Sequence, residues 1–314
     1  MSRLLLIRHG QTYSNLSHSL DTQLPGASLT DLGWHQAHAA GQRLAGEVGE
    51  VGEAAAGEDA GASGLYLVSS QALRARQTAA GIATGGAASG LVLGETGPSS
   101  DFAGALAQLA GLDVTGGLEH GEVAGPAASA TASAPAALGG RAGQDAPVAG
   151  VPAPTLPLVM PGAVPGISEI PAGTWEMRSD DEAQENYHRV FGQWLGGALD
   201  LTVPGALAGR DVVDRYLTAL LPMLGVAQRT GSDLAVVSHG AVIRLIAGFL
   251  GRVDPDYAVR TLLPNTSRVE LEVPELPVLP TLPTSDAPTV DTAAVLEGWQ
   301  VTDWAGHGEP PRRS

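Results

Sequence analysis

The chain has 314 residues, a formal net charge of −16, 44% apolar residues and only 4% aromatic ones. That balance opposes nonspecific attraction to nucleic acid or to an anionic membrane surface, and it supplies an aliphatic core for one large or two small domains. All 17 basic side chains are arginine and there is no cysteine, which excludes disulfides, thiol nucleophiles, cysteine metal sites, Schiff-base lysines and a lysine-bearing phosphate loop.

The apolar run Leu4–Ile7 is too short for a signal-peptide core, and no stretch approaches a membrane span, so a cytoplasmic protein is expected. A strand over Arg3–Ile7 leads into Arg8-His9-Gly10, with Gln11, Thr12 and Asn15 opening a helix. The glycine frees the backbone to turn. Arginine's planar fork of donors beside a helix N-terminus suits an oxyanion. A loop with Pro25-Gly26 precedes a helix from about Thr30 to Glu47 that carries apolar Leu32, Ala39, Ala40 and Leu44. Gly49–Gly64 reads as a loop, Leu65–Val68 as a strand, and Ala72 to about Ala83 as a helix bearing Arg74 and Arg76. Arginines at i and i+2 point to different sides of a helix, so one at most faces a shared pocket. Arg76 is assigned to the surface.

From about Gly85 to Gly166 the chain is dominated by Ala, Gly, Pro, Ser and Thr, too poor in large side chains to offset its ordering entropy, and an insertion that stays disordered is expected. Within it, Leu106, Leu109 and Leu112 suit one short amphipathic helix. Periodic sequence resumes near Ile167. An acidic helix from Asp180 to about Leu195 carries the stripe Tyr187, Val190, Phe191 and Trp194, read as core or lid. A helix from Asp211 to about Arg229 follows, then strand Leu234–Val237, Ser238-His239-Gly240 and a helix over Ala241–Leu250. Arg268–Val273 reads as an edge strand, residues 274–290 as a Pro/Thr-rich loop, and Val295–Trp304 as the last strand.

Strands alternating with helices predict an α/β fold, a doubly wound and mostly parallel sheet with helices on both faces. Ligands of such sheets bind beyond the carboxyl ends of the strands, so two strands ending in His-Gly can place His9 and His239 in one pocket. A lone histidine after a strand is as readily a polar residue finding its hydrogen bonds; the pair, with Arg8 adjoining, is the sharper signal.

Four ordered blocks carry a resemblance: Arg8-His9-Gly10 with Gln11-Thr12 and Asn15; Ser69-Ser70 with Arg74-Ala75 and Gln77-Thr78-Ala79; Glu169 through Gly173, Trp175 and Glu176; and Ser238-His239-Gly240. Together with Leu29-Thr30-Asp31-Leu32-Gly33 they resemble the histidine phosphatase superfamily, of phosphoglycerate mutase-like fold, in its phosphatase branch. The resemblance implies a three-layer sandwich forming a single domain over 1–314, its core at 1–84 and 167–314. It also implies a phosphohistidine formed on His9, Glu169 as proton donor, phosphate contacts from Arg8, Asn15, Arg74 and His239, and a small-molecule phosphoester as substrate without a cofactor. In that role His239 is expected in its charged form, because a nearby phosphate dianion raises an imidazole pKa. Glu176 is assigned a structural or surface role, and Asn265-Thr266 one in the fold. No two histidines have metalloprotease spacing, so no metal is expected. Pro204-Gly205-Ala206-Leu207-Ala208-Gly209-Arg210 stands where many relatives carry Gly-Glu-Ser. A phosphoglycerate mutase and a catalytically silent scaffold for phosphorylated ligands are the alternatives. The acidic stretch Trp175–Glu185 favours hydrolysis, and the physiological phosphoester and oligomeric state stay open.

Overall fold

A computed structural model describes residues 2–54, 64–94, 162–276 and 297–313. The sheet is built outward from β1 (Arg3–Arg8), which pairs in parallel with β5 (Asp233–Ser238) and antiparallel with β6 (Arg268–Glu272). β5 pairs in parallel with β2 (Leu65–Ser70), whose other edge takes both β3 (Leu93–Gly94) and β4 (Gly162–Val164). β7 (Gln300–Trp304) closes the far side against β6, giving the order β3-β2-β5-β1-β6-β7 in a seven-stranded mixed sheet.

Successive side chains of a strand point to opposite faces, and here both faces are covered, which is why β1 reads as continuous Leu-Leu-Leu-Ile. Leu5, Ile7, Leu65, Leu67, Ala235 and Val237 pack against α2 (Asp31–Ala54) and α3 (Leu73–Ala88). Leu4, Leu6, Leu234 and Val236 join a larger core with α4 (Asp181–Leu195), α5 (Gly209–Arg229), α6 (Gly240–Leu250) and α7 (Pro255–Arg260). A short helix, α1 (Tyr13–Leu16), follows β1. The stripe Tyr187, Val190, Phe191 and Trp194 is core.

The parallel register sets the active edge. Arg8 lies opposite Ser238, so β1 and β5 finish level and their following histidines emerge side by side.

Several boundaries differ from the sequence reading. α2 runs on to Ala54 and α3 to Ala88, and β3 and β4 belong to the sheet although they fall inside the 85–166 segment. Leu32, in the first turn of α2, is 52% exposed. Strand Arg268–Glu272 is internal, because β7 pairs along it and takes the edge itself. The Leu106–Leu112 helix and most of the 274–290 loop lie outside the described residues.

α2 and α3 approach so closely that glycine is required where they touch. A Cβ on Gly41 would come 2.1 Å from the Ile82 carbonyl oxygen, and one on Gly85 would come 2.1 Å from that of His38. Gly85→Ala is therefore expected to cost about 1–3 kcal/mol by overpacking, read as a lowered denaturant midpoint at unchanged slope.

Candidate active site

His9 is 5% exposed, and its backbone N–H donates to the Ser238 carbonyl at 3.0 Å. Its Nδ1 lies 2.7 Å from the Gly10 carbonyl oxygen. A carbonyl only accepts, so Nδ1 carries the proton and the lone pair of the neutral ring stands on Nε2. Burial, then the Arg74 and Arg8 charges, hold this imidazole well below its usual pKa despite the opposing hydrogen bond to Gly10.

His239 begins α6, fully buried, with its ring centroid 5.3 Å from that of His9 in an edge arrangement. Arg74 Nε donates to His239 Nδ1 at 3.2 Å, which places the ring proton on Nε2, 2.9 Å from Ser70 Oγ. Burial, with Arg74, Arg215 and Arg8 adding like charge, pushes this pKa well down too. The sequence expectation of a charged His239 concerns the ring beside a phosphate dianion; in the protein alone the ring accepts from a guanidinium and cannot also be protonated at that nitrogen.

Arg74 is 3% exposed. Its Nη1 lies 3.8 Å from Asp21 Oδ2 and has no hydrogen-bond partner among the described residues. Gly26, at φ +71, caps it, since a Cβ there would sit 2.1 Å from Nη1. Arg8 donates through Nη1 to the Leu263 carbonyl, while its buried Nε is also without a partner. Two buried guanidinium donors left open beside two imidazoles fit an anion whose oxygens complete them.

Glu169 follows a different logic. Its Oε1 accepts from the Val242 and Ile170 N–H groups at 2.9 Å each, and its Oε2 from Ala241 N–H at 3.3 Å. The carboxylate thereby fills the positive N-terminus of α6, and Oε2, with the single long bond, is its less committed oxygen. Asn15 caps its own short helix reciprocally with Thr12, and its Oδ1 also accepts from Asn265 Nδ2 at 3.3 Å. The same Asn265 nitrogen donates to the His9 carbonyl at 3.0 Å. Glu176 accepts from the N–H groups of Thr22 and Gln23 and from the Thr22 hydroxyl, which itself accepts from Ala172 N–H.

All six residues singled out in the sequence lie along this sheet edge, and Arg76, assigned to the surface, is half-buried on α3 and takes part in none of the contacts above. Ser70, Asn265 and Arg215 were missed as site components. Ser70 ends a strand as Ser238 does, a signal that was present; Asn265 and Arg215 act on backbone carbonyls, which a sequence does not display. Among the described residues no cluster of His, Asp or Glu could hold a metal ion, and no helix is long and apolar enough to cross a membrane. A cavity of about 260 Å³ lies elsewhere, between α2 and the β6–β7 side, lined by Arg43, Leu44, Thr266 and Asp303 among others.

The sequence model of the histidine phosphatase superfamily, branch 1, matches residues 4–89 and 155–275. The chain belongs to this superfamily. Two solved structures share the histidine phosphatase fold at a TM-score of 0.52: mycobacterial hydrolase 2, 17% identical over 100% of this chain and 93% of that one, and mycobacterial hydrolase 1, 16% identical over 97% and 99%. A mycobacterial glucosyl-3-phosphoglycerate phosphatase, solved as a complex with VO3, is 17% identical over 87% of this chain and 93% of that chain, at a TM-score of 0.48. No curated protein matches.

The two histidine phosphatase imidazoles are held neutral when folded and titrate near ~6.5 when unfolded. Below that value the unfolded chain binds more protons, so stability falls on acidification, by up to about 1.4 kcal/mol per pH unit for each histidine. Denaturant unfolding between pH 7 and 5 in phosphate-free buffer is expected to show this slope, and His239→Gln to lessen it.

Proposed function

We propose that the protein is a phosphatase that hydrolyses a small phosphomonoester through a phosphohistidine on His9. The observation that carries this reading is the His9 ring itself, with Nδ1–H fixed on the Gly10 carbonyl and an unprotonated Nε2 beside open guanidinium donors. In the first step the Nε2–phosphorus bond forms while the ester P–O bond breaks, and the electron pair leaves on the ester oxygen. Glu169, protonated on Oε2, gives that oxygen its proton and becomes the carboxylate seen at the start of α6. In the second step water attacks phosphorus, Glu169 takes its proton back, and Nε2 leaves as the free imidazole.

Arg8 Nε and Arg74 Nη1 take the equatorial oxygens, where charge is held through the transfer, and the Asn15 amide adds a hydrogen bond. A phosphate dianion favours protonation of His239 Nδ1, which displaces Arg74 Nε and turns both groups into donors. The substrate's charge thus charges its own binding site. The acidic stretch Trp175–Glu185 argues against a mutase, which must also grip a second anionic group. Its one arginine, Arg178, is engaged by Asp180 and Glu182, and the stretch also carries Glu176, Asp181 and Glu185.

Hydrolysis of p-nitrophenyl phosphate in EDTA is expected from the natural chain and to fall by about three orders of magnitude or more in His9→Ala. Rapid quench is expected to trap a phosphoryl label on the natural chain that is acid-labile and alkali-stable. Absence of turnover by a folded natural chain, with phosphate still bound, would instead establish a binding scaffold.

A further inference from the structure

Between β4 and the turn at Gly173 the chain has no regular partner, yet four successive carbonyls are each held by a side chain. Ile167 O accepts from Ser238 Oγ at 2.8 Å, and Ile170 O from Tyr187 OH at 2.9 Å. The two carbonyls between them, Ser168 O at 2.8 Å and Glu169 O at 3.2 Å, both accept from Arg215 Nη2. The segment lies hard against α5 to make this possible. Gly166, at φ +94, passes so close that a Cβ would come 2.9 Å from Ala219 Cβ and 3.1 Å from the Arg215 carbonyl oxygen.

Arg215 has little other employment. Its side chain is half-buried, and its Nε, closed to water, has no partner among the described residues. A cation drawn that far in for the sake of two adjacent carbonyls needs a reason. The Glu169 carboxylate supplies one. Its charge is what favours the charged guanidinium against burial, so backbone and carboxylate of one residue address the same arginine. A carboxyl group is held no better than the backbone that carries it, and a proton donor displaced by an ångström loses much of its effect.

We infer that Arg215 is a positioning residue for proton donation by Glu169, holding the backbone of the acid while the N-terminus of α6 holds its carboxylate. This inference rests on the proposed phosphatase reading. The geometry gives Arg215 an effect that depends on the leaving group. An alkoxide must be protonated as it departs, whereas a nitrophenolate leaves without a proton. Arg215 therefore matters for alkyl phosphates and hardly at all for activated aryl ones.

The test compares kcat/KM for glycerol phosphate and p-nitrophenyl phosphate in the natural chain, Arg215→Met, Arg215→Lys and Glu169→Gln. Arg215→Met keeps the apolar stem and removes the donors. It is expected to lower the alkyl rate about 10- to 100-fold, at the modest end of what a displaced acid costs, and the aryl rate by no more than about threefold. Arg215→Lys is expected to recover most of the alkyl rate, and Glu169→Gln to show the same selectivity more strongly. Equal losses on both substrates in Arg215→Met, or none, with selectivity kept in Glu169→Gln, would overturn the inference while leaving the acid in place. Loss of selectivity in Glu169→Gln would instead remove the acid role of Glu169. Should Arg215→Met lack a cooperative unfolding transition, Arg215→Gln decides by the same ratio.

Discussion

Everything at the active edge depends on the in-register pairing of β1 with β5. Parallel strands that finish level deliver their next residues to one place, and here those residues are His9 and His239. A slip of one residue would send Leu4 and Leu6 to the wrong face and carry one imidazole away from the other. The burial of both sheet faces therefore does more than stabilise. It makes the spacing of the two rings as invariant as the core, because neither can move without exposing a row of aliphatic side chains.

Electrostatics follow from that rigid placement. The chain as a whole is strongly acidic, yet its active edge gathers Arg74, buried, with Arg8 and Arg215, each half-buried. Burial first, and then these cations, hold the two imidazoles neutral, and under the proposed mechanism neutrality serves them differently: His9 would supply a lone pair, His239 would stand ready for a proton. Glu169, between the cations and the α6 dipole, is a counter-charge to all three arginines, joined by Asp21 at Arg74. On that proposal an anionic substrate would enter a site already balanced and tip it.

Much of this was legible in the residues. The apolar runs ending in His-Gly named the strands and both rings, and alternation named the sheet. Arg74 and Glu169 were reached through the resemblance, since a helix arginine and a loop glutamate are individually ordinary. The edge strand was misplaced because Gln300–Trp304 announces itself weakly, and the length of a sheet is decided by partners far apart in sequence. Arg215 was invisible in kind and Asn265 legible only as a mark of the fold: both bind carbonyls, and every residue has one.

β3 and β4 lie on the same edge of β2, the first beside Leu65 and Tyr66, the second beside Val68, Ser69 and Ser70. β4 therefore runs beside the strand end that carries Ser70, whose hydroxyl meets His239, and five residues after its last pair, Val164 with Ser70, stands Glu169. A one-residue slip of β4 along β2 would shift that approach by about 3.3 Å, so this three-residue pairing acts as a ruler for the reach of the glutamate.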